Sequence, residues 1–180
     1  MLGTTFHIVA RTDRSAEQIY KGMMQIDAEA KASMSIFDEN SLLSRINANK
    51  TDSLDCHILR NIAVAAEVNR ISGGAYDITV KPLTEAYGFA AKGEIEHPNI
   101  DSLLQFVGFR HFRTEGNRIV KDDGRVQLDL NSIAKGYTVD MAAEFLEREG
   151  ATDYIVEIGG EIRARGVNAK GHKWRVAVDS

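Results

Sequence analysis

VQLDLNSIAKGYTVD, residues Val126–Asp140, is the stretch whose reading decides the fold. Val126, Leu128 and Leu130 alternate with Gln127 and Asp129, the two-residue period of a buried strand. Asn131 or Ser132 can then supply the oxygen of a helix N-cap. Ile133, Tyr137, Met141 and Phe145 mark an apolar helical face beyond it, out to Glu149, with Gly150 as the C-terminal stop. A strand feeding a helix gathers unpaired backbone N–H groups at the positive end of a dipole, which suits phosphate. The carboxylate of Asp129 stands just before this helix start and Lys135 lies one turn in. Two readings stay open: a nucleotide site flanked by an anion and a cation, or an ordinary strand–helix junction with a solvated lysine.

Working outward from that junction, the fold class is α+β, with mixed or antiparallel sheets packed against helices. Helices are predicted at 15–34, 58–72, 101–107 and 131–149. The first starts at a capping box, Ser15 with Gln18. Its Met23, Met24 and Met34 read as core filler. The second ends at Gly73-Gly74 in the manner of a left-handed cap. Asp101 is the predicted cap of the third. Strands are predicted at Gly3–Ala10, Phe109–Thr114, Asn117–Lys121, Asp153–Ile158, Glu161–Arg165 and His172–Asp179. The pair before Val126 implies an antiparallel meander running into it. Ser35–Asn49 and Gly93–Asn99 read as loops, and Pro82 as the stop of an apolar segment, Ala75–Leu83.

Single residues carry open alternatives. Phe37, alone among polar neighbours, either stacks on a planar ring or packs in the core. Asp77, at the mouth of Ile78–Val80, either caps a turn or accepts from a ligand such as a heterocycle N–H. The Gly159-Gly160 pair either lets a ligand near the backbone or makes a tight hairpin.

With 180 residues, 43% hydrophobic, the chain suffices for one core and a single domain. A net charge of -4 with no basic run argues against a nucleic-acid surface. Cys56, the only cysteine, excludes an internal disulfide. No transmembrane run, signal peptide, CxxC, HExxH, Walker loop or GxSxG elbow is present. The histidines at 7, 57, 97, 111 and 172 show no metal-ligand spacing, and no catalytic acid–base pair can be assigned. The chain opens and closes almost inside strands, so it is expected to be a fragment of a longer protein.

Five segments in order resemble the FAD:protein FMN transferases, the ApbE family. They are GTTFHI at Gly3–Ile8, SIFDENSLLSRIN at Ser35–Asn47, GGAYDITVKPLTEAYGF at Gly73–Phe89, LDLNSIAKGYTVD at Leu128–Asp140, and Val156–Gly166. The second resembles the family's S-x-L-x-R-x-N loop, and the third its G-x-[FY]-D-I-T-V-x-P-L signature.

The resemblance implies a Mg²⁺-dependent reaction in which FMN passes from FAD to a threonine of an acceptor flavoprotein and AMP leaves. It places Leu2, Phe37, Ala75, Tyr76, Asp77, Asp129 and Lys135 at FAD-contacting positions. It places Ser132 where a backbone carbonyl ligates the metal. The remaining metal ligands and an assisting histidine are expected in a second half absent here, so these 180 residues are expected to be inactive alone. The implied setting is periplasmic or cell-envelope, with membrane attachment through a lipid anchor. Rival readings are a flavin-binding or flavin-scavenging protein, an FAD pyrophosphatase on the same scaffold, or a folding unit with no ligand.

Overall fold

A computed structural model describes residues 1–89 and 98–177. The chain divides into two compact units, residues 1–29 with 135–180, and residues 30–134.

The first unit is built on main-chain pairing. β1 (Phe6–Arg11), β4 (Asp153–Ile158) and β5 (Glu161–Arg165) form an antiparallel sheet in the order β1-β4-β5. Ile8 faces Val156, and Val156 faces Arg163. Tyr154, Val156 and Ile158 alternate inward along β4, as the period-2 pattern requires. They join Met23 and Ile26 of α1 (Ala16–Met34) and Val139, Ala142, Ala143 and Leu146 of α6 (Asn131–Arg148) in one apolar core. Glycine at position 22 permits this packing, because a Cβ there would run into the Phe145 ring.

The capping box is present: the Ser15 amide donates to Gln18 Oε1 at 3.0 Å and the Gln18 amide to Ser15 Oγ at 3.2 Å. α6 ends as expected, with Gly150 at φ 83° and the Ala151 amide donating to the Leu146 carbonyl at 2.9 Å. Gly159 and Gly160, at φ 56° and 95°, form the two-residue turn of the β4–β5 hairpin.

The second unit departs further from expectation. α3 (Cys56–Ile71) closes at Gly73 and Gly74 as predicted. The Ser35–Asn49 loop, however, contains a helix, α2 (Leu42–Asn47). Ser41 caps it by accepting from the Ser44 amide at 3.0 Å, and Leu43 and Ile46 bury its inner face. Pro82 does not stop a segment. It sits in the first turn of α4 (Lys81–Ala86), where its missing N–H would have no partner anyway. The third predicted helix is α5 (Ile100–Leu104), capped by Asn99 rather than Asp101.

β2 (Phe112–Glu115) and β3 (Arg118–Lys121) form the expected hairpin, shortened at its start by a 3₁₀ turn at Phe109–His111. The meander has a different third member. Leu54 donates to the Asn117 carbonyl at 2.7 Å, and Ile119 to the Asp52 carbonyl at 2.8 Å.

Val126–Leu130, predicted as a strand, joins no sheet among the described residues, although Val126, Leu128 and Leu130 are buried in alternation. The carboxamide of Asn47 takes the place of a partner strand, donating to the Leu128 carbonyl and accepting from the Leu128 amide, both at 2.8 Å. Lys121 Nζ donates to the Val126 carbonyl at 3.0 Å and to the Ile46 carbonyl at 3.1 Å. Burial holds the Lys121 ammonium below the usual lysine range.

The last predicted strand reduces to an isolated pairing of Lys173 with Val167. Its residues 178–179, and 93–97 of the Gly93–Asn99 loop, lie outside the described residues.

Candidate functional site

In the second unit, two segments far apart in the chain lie side by side. The Tyr76 hydroxyl meets Ser132 Oγ at 2.9 Å, and the Asp129 amide donates to the Ile78 carbonyl at 2.7 Å. Tyr76 and Asp77 are half-buried, and Ala75 and Ser132 are exposed.

The carboxylate of Asp77 is held through one oxygen, Oδ1, which accepts from the Thr79 amide at 2.8 Å and the Thr79 hydroxyl at 2.6 Å. Asp129 Oδ1 accepts from the Asn131 amide at 2.8 Å, and its Oδ2 lies 3.4 Å from the Thr84 hydroxyl. Lys81, with its ammonium nearly buried, is paired across one turn of α4 with Glu85.

These contacts change the reading of the helix start. Neither Asn131 nor Ser132 is the cap; the Asp129 carboxylate, two residues before Asn131, accepts from the Asn131 amide beside the positive helix end. The Leu130 carbonyl accepts from the Ile133 and Ala134 amides at 3.0 and 2.8 Å. The Asn131 and Ile133 amides at this entrance are therefore already taken by the protein itself. Phe37 is 65% exposed, which removes the core-packing alternative and leaves a ring face open to a planar partner.

In the first unit, Leu2 is half-buried in a turn at φ 52°, its amide donating to Asp27 Oδ1 at 2.6 Å. Lys135 Nζ donates to the Gly159 carbonyl at 3.2 Å, so it is not merely solvated. The Gly159 amide donates to the Thr5 carbonyl at 3.1 Å. The glycine pair thus makes the hairpin and also anchors this lysine.

The structure brings Tyr76, Asp77, Asp129 and Ser132 together in one unit; Leu2 and Lys135 belong to the other. Residue-by-residue reading missed Asn47, Thr79 and Thr84. Two of them were visible as motif letters, the final N of S-x-L-x-R-x-N and the T of D-I-T.

Among the described residues, no group of three or more His, Cys, Asp or Glu side chains could hold an ion. Mg²⁺ takes about six oxygen ligands in near-octahedral array. The backbone carbonyl of Ser132 would supply one of these oxygens.

The chain is of the α+β class, with two carboxylate-bearing segments side by side at a helix entrance. Within that class the chain belongs to the ApbE family, whose model matches residues 2–180. It is 33% identical to an FAD:protein FMN transferase of Vibrio cholerae, covering 99% of this chain and 56% of that protein. It is 34% identical to one of Haemophilus influenzae, with the same shares. The chain thus spans about half the length of the curated relatives it matches.

Among solved structures it matches the flavin transferase ApbE from Vibrio cholerae with a TM-score of 0.90 at 31% identity, over 98% of this chain and 60% of that one. It matches the apo flavinyl transferase ApbE of Pseudomonas stutzeri with a TM-score of 0.92 at 28% identity, over 99% and 60%. The α+β class with antiparallel sheets agrees with these structures.

Proposed function

We propose that these residues are the N-terminal portion of one ApbE-type domain, and that the intact protein transfers FMN from FAD to a threonine hydroxyl on an acceptor flavoprotein, releasing AMP. One observation carries the reading. The two segments that resemble the family's signatures, around Asp77 and Asp129, are joined by the Tyr76–Ser132 contact and by the Asp129–Ile78 main-chain bond.

In this reading Asp77 and Asp129 accept from N–H and O–H groups of the dinucleotide, Phe37 offers a stacking face, and Leu2, Ala75 and Tyr76 border the flavin. Lys135 neutralises diphosphate charge. Such a transfer asks for positioning and charge compensation more than covalent help from the protein. Mg²⁺ would neutralise phosphate oxygens when bound. Dependence on it, the threonine acceptor and AMP release rest on the family resemblance.

A periplasmic or cell-envelope setting with a lipid anchor belongs to the same proposal. No helix among the described residues is long and apolar enough to cross a membrane.

The test incubates the intact protein with FAD, Mg²⁺ and a threonine-bearing acceptor. AMP with covalent flavin is expected. AMP with free FMN would make it a pyrophosphatase, and unchanged bound FAD a flavin-binding protein. Replacing Lys135 with Met is expected to weaken FAD retention about tenfold, the scale of one lost charge-assisted contact. Unchanged affinity would remove Lys135 from the site.

A further inference from the structure

Thr79 lies two residues past Asp77 and is 0% exposed. The Gly108 amide donates to Thr79 Oγ1 at 2.6 Å. An amide N–H can only donate, so it takes a lone pair of the hydroxyl and leaves the single hydroxyl proton to be given away. The acceptor is Asp77 Oδ1, 2.6 Å from Thr79 Oγ1, which also receives the Thr79 amide at 2.8 Å.

The direction of the chain is therefore fixed, from Gly108 N–H through the Thr79 hydroxyl to the Asp77 carboxylate. Hydrogen bonds in such a chain polarise one another. Its origin is sterically specified as well. Gly108 has φ 139°, and a Cβ there would sit 3.1 Å from the Arg110 guanidinium. Two donors thus converge on Oδ1, while Oδ2 makes no hydrogen bond among the described residues.

We propose that Thr79, backed by the Gly108 amide, is the positioning residue for Asp77. It fixes the plane of the carboxylate so that Oδ2 alone is presented to an N–H or O–H donor of the bound nucleotide. The ligand's identity rests on the function proposed above; the relay itself does not. A carboxylate oriented before the ligand arrives loses no side-chain freedom on binding, so the relay contributes to affinity without touching the ligand.

The test uses the intact protein and its Thr79→Val, Thr79→Ser and Asp77→Ala variants. It reads Gly108 amide exchange without ligand, FAD affinity by flavin fluorescence, and the melting temperature. Thr79→Val is expected to weaken FAD binding about tenfold, the scale of one bond to a charged group. Asp77→Ala should do the same, and the double variant should bind no more weakly than Asp77→Ala alone. Thr79→Ser should restore affinity.

A Thr79→Val chain that melts lower yet binds FAD like the parent overturns the proposal and leaves Thr79 a purely structural group. If the parent chain binds no FAD, the functional reading fails separately and exchange decides the relay. Faster Gly108 exchange in Asp77→Ala upholds it, and an unchanged rate overturns it. The same comparison decides if Thr79→Val does not fold.

Discussion

The two units solve the same problem by different means. In residues 1–29 with 135–180, backbone groups of extended chain are satisfied by other extended chain, in the β1-β4-β5 ladder. In residues 30–134, the centre of the Val126–Leu130 stretch is instead satisfied by side chains: Asn47 on both groups of Leu128, and Lys121 on the Val126 carbonyl. A ladder tolerates many substitutions because it is made of main chain. A stretch held by one carboxamide depends on that residue.

The largest expected effect tests this dependence. Asn47→Ala orphans the buried N–H and C=O of Leu128, each costing about 1–3 kcal/mol, so a loss of about 4 kcal/mol is expected in denaturant unfolding. A loss below about 1 kcal/mol would mean that packing of Val126, Leu128 and Leu130 holds the stretch, and the contrast would fail.

In the ladder unit, the sensitive point is a helix contact. Gly22→Ala gains about 1 kcal/mol of helix propensity but meets the Phe145 ring, so a net loss of about 2 kcal/mol is expected. Stabilisation would show that the ring moves aside freely. Ser15→Ala, which removes half of the capping box, is expected to cost about 1 kcal/mol, read as a lowered melting temperature.

The smallest effect is a pH dependence. Glu147 is held below the usual carboxylate range by the Tyr154 hydroxyl, at 2.6 Å, and by Arg165 and Arg163. Asp153 is lowered by the Val167 amide, the Thr152 hydroxyl and Arg11. A carboxyl whose pKa is lower folded than unfolded stabilises the fold above its unfolded value, and this is lost as pH falls through the folded value. Acid melting curves should therefore show a loss beginning below about pH 4, which Glu147→Gln reduces.

The ladder unit was legible because its information is periodic. DYIVEI alternates along β4, Ser15 and Gln18 have capping-box spacing, and Gly150 marks a helix end. The other unit was less legible because its order comes from single polar residues reaching across the chain, 81 positions in the case of Asn47 and Leu128. Periodicity rightly read the alternating burial of Val126, Leu128 and Leu130, but the strand it predicted does not form, because it cannot say whether a strand or an amide is the partner. α2 was hidden by its six-residue length inside a turn-rich run.

At the candidate site, charge and spacing drew attention to Asp77, Asp129 and Lys135. Of the groups that orient Asp77, Thr79 stands in the D-I-T motif, but the Gly108 amide lies 29 residues beyond it and leaves no local signal.

The Asn47 clasp also bears on how copies of this chain meet one another. An extended apolar segment usually carries a row of vacant donors and acceptors that another molecule can copy. Around Leu128 those groups are already taken: the Val126 amide by the Asp123 carbonyl, the Leu128 pair by Asn47, and the Asp129 amide by Ile78. The groups around Leu128 are thereby closed to pairing with another chain, and Asn47 closes two of them.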